Sequence, residues 1–284
     1  MLPRARTGLI ALAAALLVLS GCGSDNGGGG QASKSKGSSS SLQTLTPGKL
    51  TIGTGQPAYS PWVEDDKPES GKGFEAAVAY AVAAKLGFAK SSVVWVRTPF
   101  DSVISPGPKD FDFNLQQFSI TDQRKKAVDF SSPYYVTTPA LVSIKGNRGA
   151  DAKSLADLKD VTIGAAVGTT TLTAVQDAVQ PTQKIQTFNS NEDAVQALRT
   201  KTIDVLAVDL PTALYLANAE LKNGVIVGQL DTDQGGDKFG LLLQKGSPLT
   251  QPVTKAVDSL RQEGVLDALA KKWLTDTAGA PVLK

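Results

Sequence analysis

The sequence predicts an α/β fold made of two successive series of strands and helices, and three observations carry that expectation. Strand-like segments at 50–53, 93–96 and 111–115, the last with Phe111, Phe113 and Leu115 on one face and polar residues between them, alternate with helical stretches. A second alternation of the same kind begins at 161. Two further apolar runs, 140–145 and 239–244, fall where strands joining two lobes would stand. At 284 residues the chain has room for one large domain or two lobes of ordinary size. Its hydrophobic content is 41% but its aromatic content only 6%, so the cores must be built mainly from Ala, Val and Leu.

Composition excludes several kinds of chemistry. The formal net charge of +2 is supplied by Arg4 and Arg6, and no basic tract lies beyond the N-terminus, so no nucleic-acid partner is expected. The chain has no His, which removes the commonest general base and metal ligand. A single Cys, Cys22, rules out an intrachain disulfide and any multi-Cys metal site. No cofactor is expected.

Residues 1–21 read as a signal peptide. Arg4 and Arg6 form a basic start, 9–19 an apolar run too short to span a bilayer comfortably, and Leu19-Ser20-Gly21-Cys22 a processing site. That ending resembles a bacterial lipobox, which implies lipidation of Cys22; an ordinary leader with an incidental Cys is the alternative. From 23 to 41 the sequence GSDNGGGGQASKSKGSSSS has nothing to bury and reads as flexible coil, so 22–48 is expected to be a lipidated tether.

The body opens with a strand at 50–53. The loop GQPAYSPW at 55–62 follows, then a charged turn. The Ala-rich helix at 74–86 is apolar around most of its circumference and should be buried; Gly87 ends it. A strand at 93–96 precedes a short helix after Phe100, cut off by Pro106-Gly107-Pro108. In the second series, 161–166 is a strand and Gly168-Thr169-Thr170-Thr171 opens a helix. Residues 185–188 form a strand and 192–199 a helix. The apolar strand 203–208 ends in Asp209, with Pro211 starting another helix, and 249–274 is mostly helical.

The stretch FDFNLQQFSITDQRKKAVDFSSPYY at 111–135 links strand to helix, with Thr121 as N-cap. A capping box would place Glu or Gln three residues after the cap; Arg124 stands there instead, with Lys125 and Lys126 behind it. A helix start already carries roughly half a positive charge, so a guanidinium there suits a turn meant to hold an anion. A solvated surface Arg is the other reading. Asp209 sits at the carboxyl end of a strand, where open α/β sheets place their sites, and it could equally serve as N-cap for the next helix. Phe100 reads as site wall or as core.

The motifs SITDQR at 119–124, VDFSSPYY at 128–135, DLKDVTIGAAVGTT at 157–170, IDVLAVD at 203–209 and FGLLLQKGSPL at 239–249 resemble the family 3 bacterial extracellular solute-binding proteins. With KKW at 271–273 the likeness runs from 50 to 273. It implies a two-lobed, type II periplasmic-binding-protein fold with a ligand cleft between the lobes. The expected organisation is 49–140 with 246–284 as the first lobe, 146–238 as the second, and 141–145 with 239–245 as hinge strands. It further implies a monomeric amino-acid receptor of an ABC importer, lipid-anchored outside the cell membrane, passing its ligand to a permease.

Carried over by position, the resemblance gives Arg124 the ligand's α-carboxylate, helped by Thr169 and Thr170 from the other lobe. Asp209 would take the α-ammonium with Ser119. Tyr59 and Phe100 would wall the side-chain pocket, and Gln56 and Gln117 would face its far end. Relatives that bind Lys or Arg place a carboxylate where this chain has Gln56, so the expected ligand is polar and uncharged, such as glutamine. The chain departs from the family at Ala76 and Ala77, where a second acidic residue is usual, and in the prolines after Phe100. Two alternatives share the fold: a cyclohexadienyl-dehydratase-like enzyme and a ligand sensor for a membrane kinase. The enzyme would need a general acid or base that no residue beyond the zwitterion pair supplies.

Overall fold

The computed structural model describes residues 42–231, 235–274 and 280–284. The leader, Cys22 and the tether up to 41 lie outside them.

The first half runs β1 (Leu50–Gly55), α1 (Phe74–Lys85), β2 (Val93–Thr98), α2 (Phe100–Ile104), β3 (Phe113–Asn114), α3 (Asp122–Ala127) and β4 (Val128–Thr137). The second runs β5 (Pro139–Ile144), β6 (Ile163–Ala166), α4 (Thr170–Val179), β7 (Gln186–Phe188), α5 (Asn191–Arg199), β8 (Val205–Asp209), α6 (Leu210–Tyr215) and β9 (Gly224–Leu230). The chain closes with β10 (Asp237–Gln244), α7 (Thr250–Gln262), α8 (Val265–Trp273) and β11 (Val282–Leu283).

Two sheets result. The first has the order β2-β1-β3-β10-β4, with β1 parallel to β2 and β3, and β10 antiparallel to β3 and β4. The second has the order β11-β9-β5-β8-β6-β7, with β8, β6 and β7 parallel and β5 antiparallel to both β8 and β9. Helix α1 is apolar all round because it is enclosed, packing on β1 and against α7 and α8. Phe74 and Trp62 are fully buried in that core, each contributing about 1.5–3 kcal/mol by leaving water. Gly73 caps α1 at φ 98°, and a Cβ there would stand 2.5 Å from the Trp62 carbonyl oxygen. Only glycine lets the loop after β1 lie this close to the helix.

Three features differ from the sequence reading. The strands at 140–145 and 239–244, read as joining two lobes, are each wholly within one sheet. The chain passes between sheets at Thr138 and again between Leu230 and Asp237. Residues 246–284 do not all return to the first sheet, because β11 adds to β9 in the second. The polar residues between Phe111, Phe113 and Leu115 do not face water: Asp112 and Asn114 are buried. Asp112 accepts from the backbone N–H of Leu45 and Thr51, and Asn114 Nδ2 donates to Thr98 Oγ1 at 2.9 Å. Burial of these groups is offset by such partners, although Asn114 Oδ1 has none among the described residues.

Candidate functional site

The loops after β1, β2 and β3 of the first sheet and after β6, β7 and β8 of the second all end at one cavity of about 670 Å³. These are the carboxyl ends of the parallel strands, where backbone and helix starts leave polar groups free for a ligand. Gln56, Tyr59, Phe100, Gln117, Ser119, Arg124, Thr169, Thr170 and Asp209 all line it.

Arg124 lies in the first turn of α3, whose cap is Thr121: its Oγ1 accepts the Arg124 N–H at 3.1 Å. The guanidinium is buried, donating from Nη1 to the Ser119 carbonyl at 2.8 Å and from Nη2 across the cavity to the Gly168 carbonyl at 2.9 Å. It lies 5.4 Å from the centre of the Phe100 ring, and Phe100 stacks on Phe118 at 4.9 Å. Phe100 is thus both wall and core. Burial pushes the Arg124 pKa down to about 10, so it stays charged at neutral pH.

Asp209 ends β8 and caps α6. Oδ1 accepts the Thr212 N–H at 2.9 Å and Oδ2 the Thr212 hydroxyl at 2.8 Å. It is therefore both an N-cap and part of the cavity lining. Burial raises its pKa to about 6, partly offset by the two Thr212 hydrogen bonds.

On the facing wall, Thr169 caps α4; its hydroxyl accepts from Leu172 N and donates to the Ala166 carbonyl at 2.8 Å. Thr170 Oγ1 donates to Asp237 Oδ2 at 2.8 Å and meets Ser119 Oγ at 2.8 Å. Both hydroxyls are thus committed, and what α4 offers a ligand is the N–H groups of its first turn. Tyr59 packs edge-on to Tyr215 at 6.2 Å and donates its hydroxyl to Glu220, in the π-helical turn Leu216–Glu220.

Glu75 is the residue that sequence reading missed. It lines the cavity, is 2% exposed, and its carboxylate accepts from the Gln117 N–H at 2.8 Å, from Gln117 Nε2 and from the Tyr134 hydroxyl. Burial raises its pKa to about 7. Its signal was a lone carboxylate in the first turn of a helix apolar on every side. Gln117, at φ 50°, spends its amide nitrogen on Glu75, while Gln116 Oε1 is buried in the lining with no partner among the described residues. Gln56 is exposed at the cavity's edge. Among the described residues no cluster of acidic or Cys side chains is arranged to hold a metal ion, and no helix is long and apolar enough to cross a membrane.

The family model of the bacterial extracellular solute-binding proteins, family 3, matches residues 50–276. The chain belongs to this family. The L-cystine-binding protein TcyJ of Escherichia coli K12 is 30% identical over 239 residues, covering 84% of this chain and 85% of the relative. An ancestral arginine-binding protein solved with glutamine bound is 32% identical, with a TM-score of 0.68 over 80% of this chain and 98% of that one. An ancestral amino-acid-binding protein described as a precursor of cyclohexadienyl dehydratase is 31% identical, with a TM-score of 0.66 over 80% and 96%. Other relatives are named for binding histidine, arginine and glutamine, the last as part of an ABC transporter. The architecture is the two-lobed type II fold of the amino-acid-binding proteins, with the cavity bounded by both sheets.

Proposed function

We propose that the protein is the capture component of an ABC importer for a polar α-amino acid. The observation that carries this reading is the pairing of Arg124 from the first sheet's loops with Asp209 at the end of a second-sheet strand, both on one cavity. A zwitterion laid between them would place its carboxylate on the guanidinium and on the first turn of α4, and its ammonium on Asp209. Closure would turn about the connections between the two sheets, the first of them at Thr138. We read the site as a binder and not as an enzyme: Arg124 and Asp209 are assigned to the two ends of the zwitterion, and the buried Glu75 carboxylate already accepts from Gln117 and Tyr134.

For the side chain, the amides of Gln56 and Gln116 favour a polar uncharged ligand such as glutamine. A second reading, a cationic side chain, is favoured by the excess of carboxylates in the lining. Glu75, Asp101, Glu192, Asp193, Asp209 and Asp237 stand against one cation, Arg124. Three donors already satisfy the Glu75 carboxylate, which is why the neutral ligand is placed first. A thermal-shift screen of the twenty amino acids decides between the two. A ligand at a hundred times its dissociation constant adds ~2.7 kcal/mol, a rise of roughly 5–10 °C for a protein of this size. Glutamine raising the midpoint more than arginine supports the neutral reading and the reverse order the cationic one; no shift with any of them removes amino-acid capture.

We also propose that the mature protein begins at an acylated Cys22, which ties it to the outer face of the cell membrane. Mass spectrometry of detergent-extracted protein should find diacylglycerol on Cys22 and no peptide from 1–21. A water-soluble form starting at another residue would sink this anchor.

A further inference from the structure

We propose that Trp62 is a positioning residue for Asp209, acting through the hydroxyl of Thr212. This extends the reading of the site as an amino-acid receptor, in which Asp209 holds the ammonium. Trp62 belongs to the core of the first sheet, 1% exposed and edge-on to Phe74, Tyr135 and Phe239 at 5.8–5.9 Å. Its indole N–H nevertheless leaves that core and donates to Thr212 Oγ1 in α6 at 2.8 Å. Thr212 is fully buried, so water does not compete for either of its bonds.

The direction of this chain follows from donor counting. An indole nitrogen can only donate, so Thr212 Oγ1 must accept from it. The hydroxyl has one hydrogen, and it goes to Asp209 Oδ2 at 2.8 Å. Each bond polarises the next, so the indole N–H strengthens the hydroxyl as a donor and favours the ionised carboxylate. The ionised form is the one that can hold an ammonium. Trp62 thus connects the core of one sheet to the ligand-facing carboxylate of the other, without touching the ligand.

Several groups act on Asp209 together. Asp237 on β10 and Glu75 on α1 are carboxylates whose charge opposes its ionisation. Tyr134 and Tyr135 on β4 are held neutral, in part by its charge. Arg124 is the cation on the same cavity. The Thr212 hydroxyl is the one side-chain donor among the described residues that bonds Asp209 directly.

The test titrates Asp209 in the ligand-free protein by carboxyl carbon NMR, in wild type, Trp62→Phe, Thr212→Val and the double variant. The account expects its pKa to rise by about half a unit in each single variant, and by no more in the double. Thr212→Ser keeps the hydroxyl and should titrate like wild type. Amino-acid affinity should fall on the order of threefold at pH 5 and stay near wild type at pH 8, since half a unit is that factor in ionisation. If Trp62→Phe does not fold, Thr212→Val against Thr212→Ser carries the comparison alone. An unmoved Asp209 titration in Thr212→Val, or additive shifts in the double variant, overturns the relay. Failure of wild type to bind any amino acid would instead refute the receptor reading and leave the NMR result to decide the relay.

Discussion

Replacing Arg124 by Ala is expected to weaken amino-acid binding by between one and a half and three and a half orders of magnitude. Truncating one partner of a buried, hydrogen-bonded charge pair costs ~2–5 kcal/mol, and each ~1.4 kcal/mol is tenfold. The loss should not come from unfolding. The two carbonyls that Arg124 bonds, those of Ser119 and Gly168, sit beside a cavity that water can enter, so they need not be left without partners. Arg124→Lys should recover only part of the affinity, because a point charge cannot reproduce the planar fork. Calorimetry on both variants, with a melting curve to confirm the fold, reads this directly. Near-normal affinity in Arg124→Ala would remove that residue from the site.

Asp209→Asn should cost as much, and should also change how binding depends on pH. The Asp209 pKa of about 6 lies above the usual value of ~3.9, because burial disfavours the charge. A raised acid makes the folded protein hold more protons than the unfolded chain, so ligand-free stability should fall as pH rises from ~4 to about 6, and flatten above. Binding runs the other way. An ammonium needs the ionised carboxylate, so wild-type affinity should drop by up to about tenfold per unit as pH falls below 6. Asp209→Asn should be nearly flat between pH 5 and 8 at its lower affinity. A variant that kept the wild-type slope would assign the titration to another group, with Glu75 and its pKa of about 7 the first to examine.

The fold was largely legible because its elements carry strong local signals. The cap at Thr121, the Gly168-Thr169 helix start and the Pro211 start all appear where turn chemistry puts them. β4 and β9 were harder to read. Ser131, Ser132 and Pro133 interrupt β4, and its place is fixed by pairing with β10, which no local pattern reports. β9 is held between β5 and β11 in the same way. The nine candidate site residues were named as a set through the family resemblance, with strand-end position pointing independently to Asp209, and all nine line one cavity. Which of their atoms are free was not legible. The hydroxyls of Thr169 and Thr170 and the amide nitrogen of Gln117 are spent on neighbours far away in sequence or on the turn itself. Trp62 and Thr212, 150 residues apart, meet only because two lobes fold against each other.

The grip on the zwitterion is tested most directly with the best-binding amino acid and three of its analogues: the α-amide, the des-amino acid and the decarboxylated amine. Calorimetric titration of wild type with all four is predicted to give tight binding of the parent and a loss of at least about thirtyfold for each analogue. The α-amide and the amine should lose nothing further in Arg124→Ala, and the des-amino acid nothing further in Asp209→Asn. Comparable affinity for the parent and for any analogue would contradict the assignment of Arg124 and Asp209 to the two ends of the ligand.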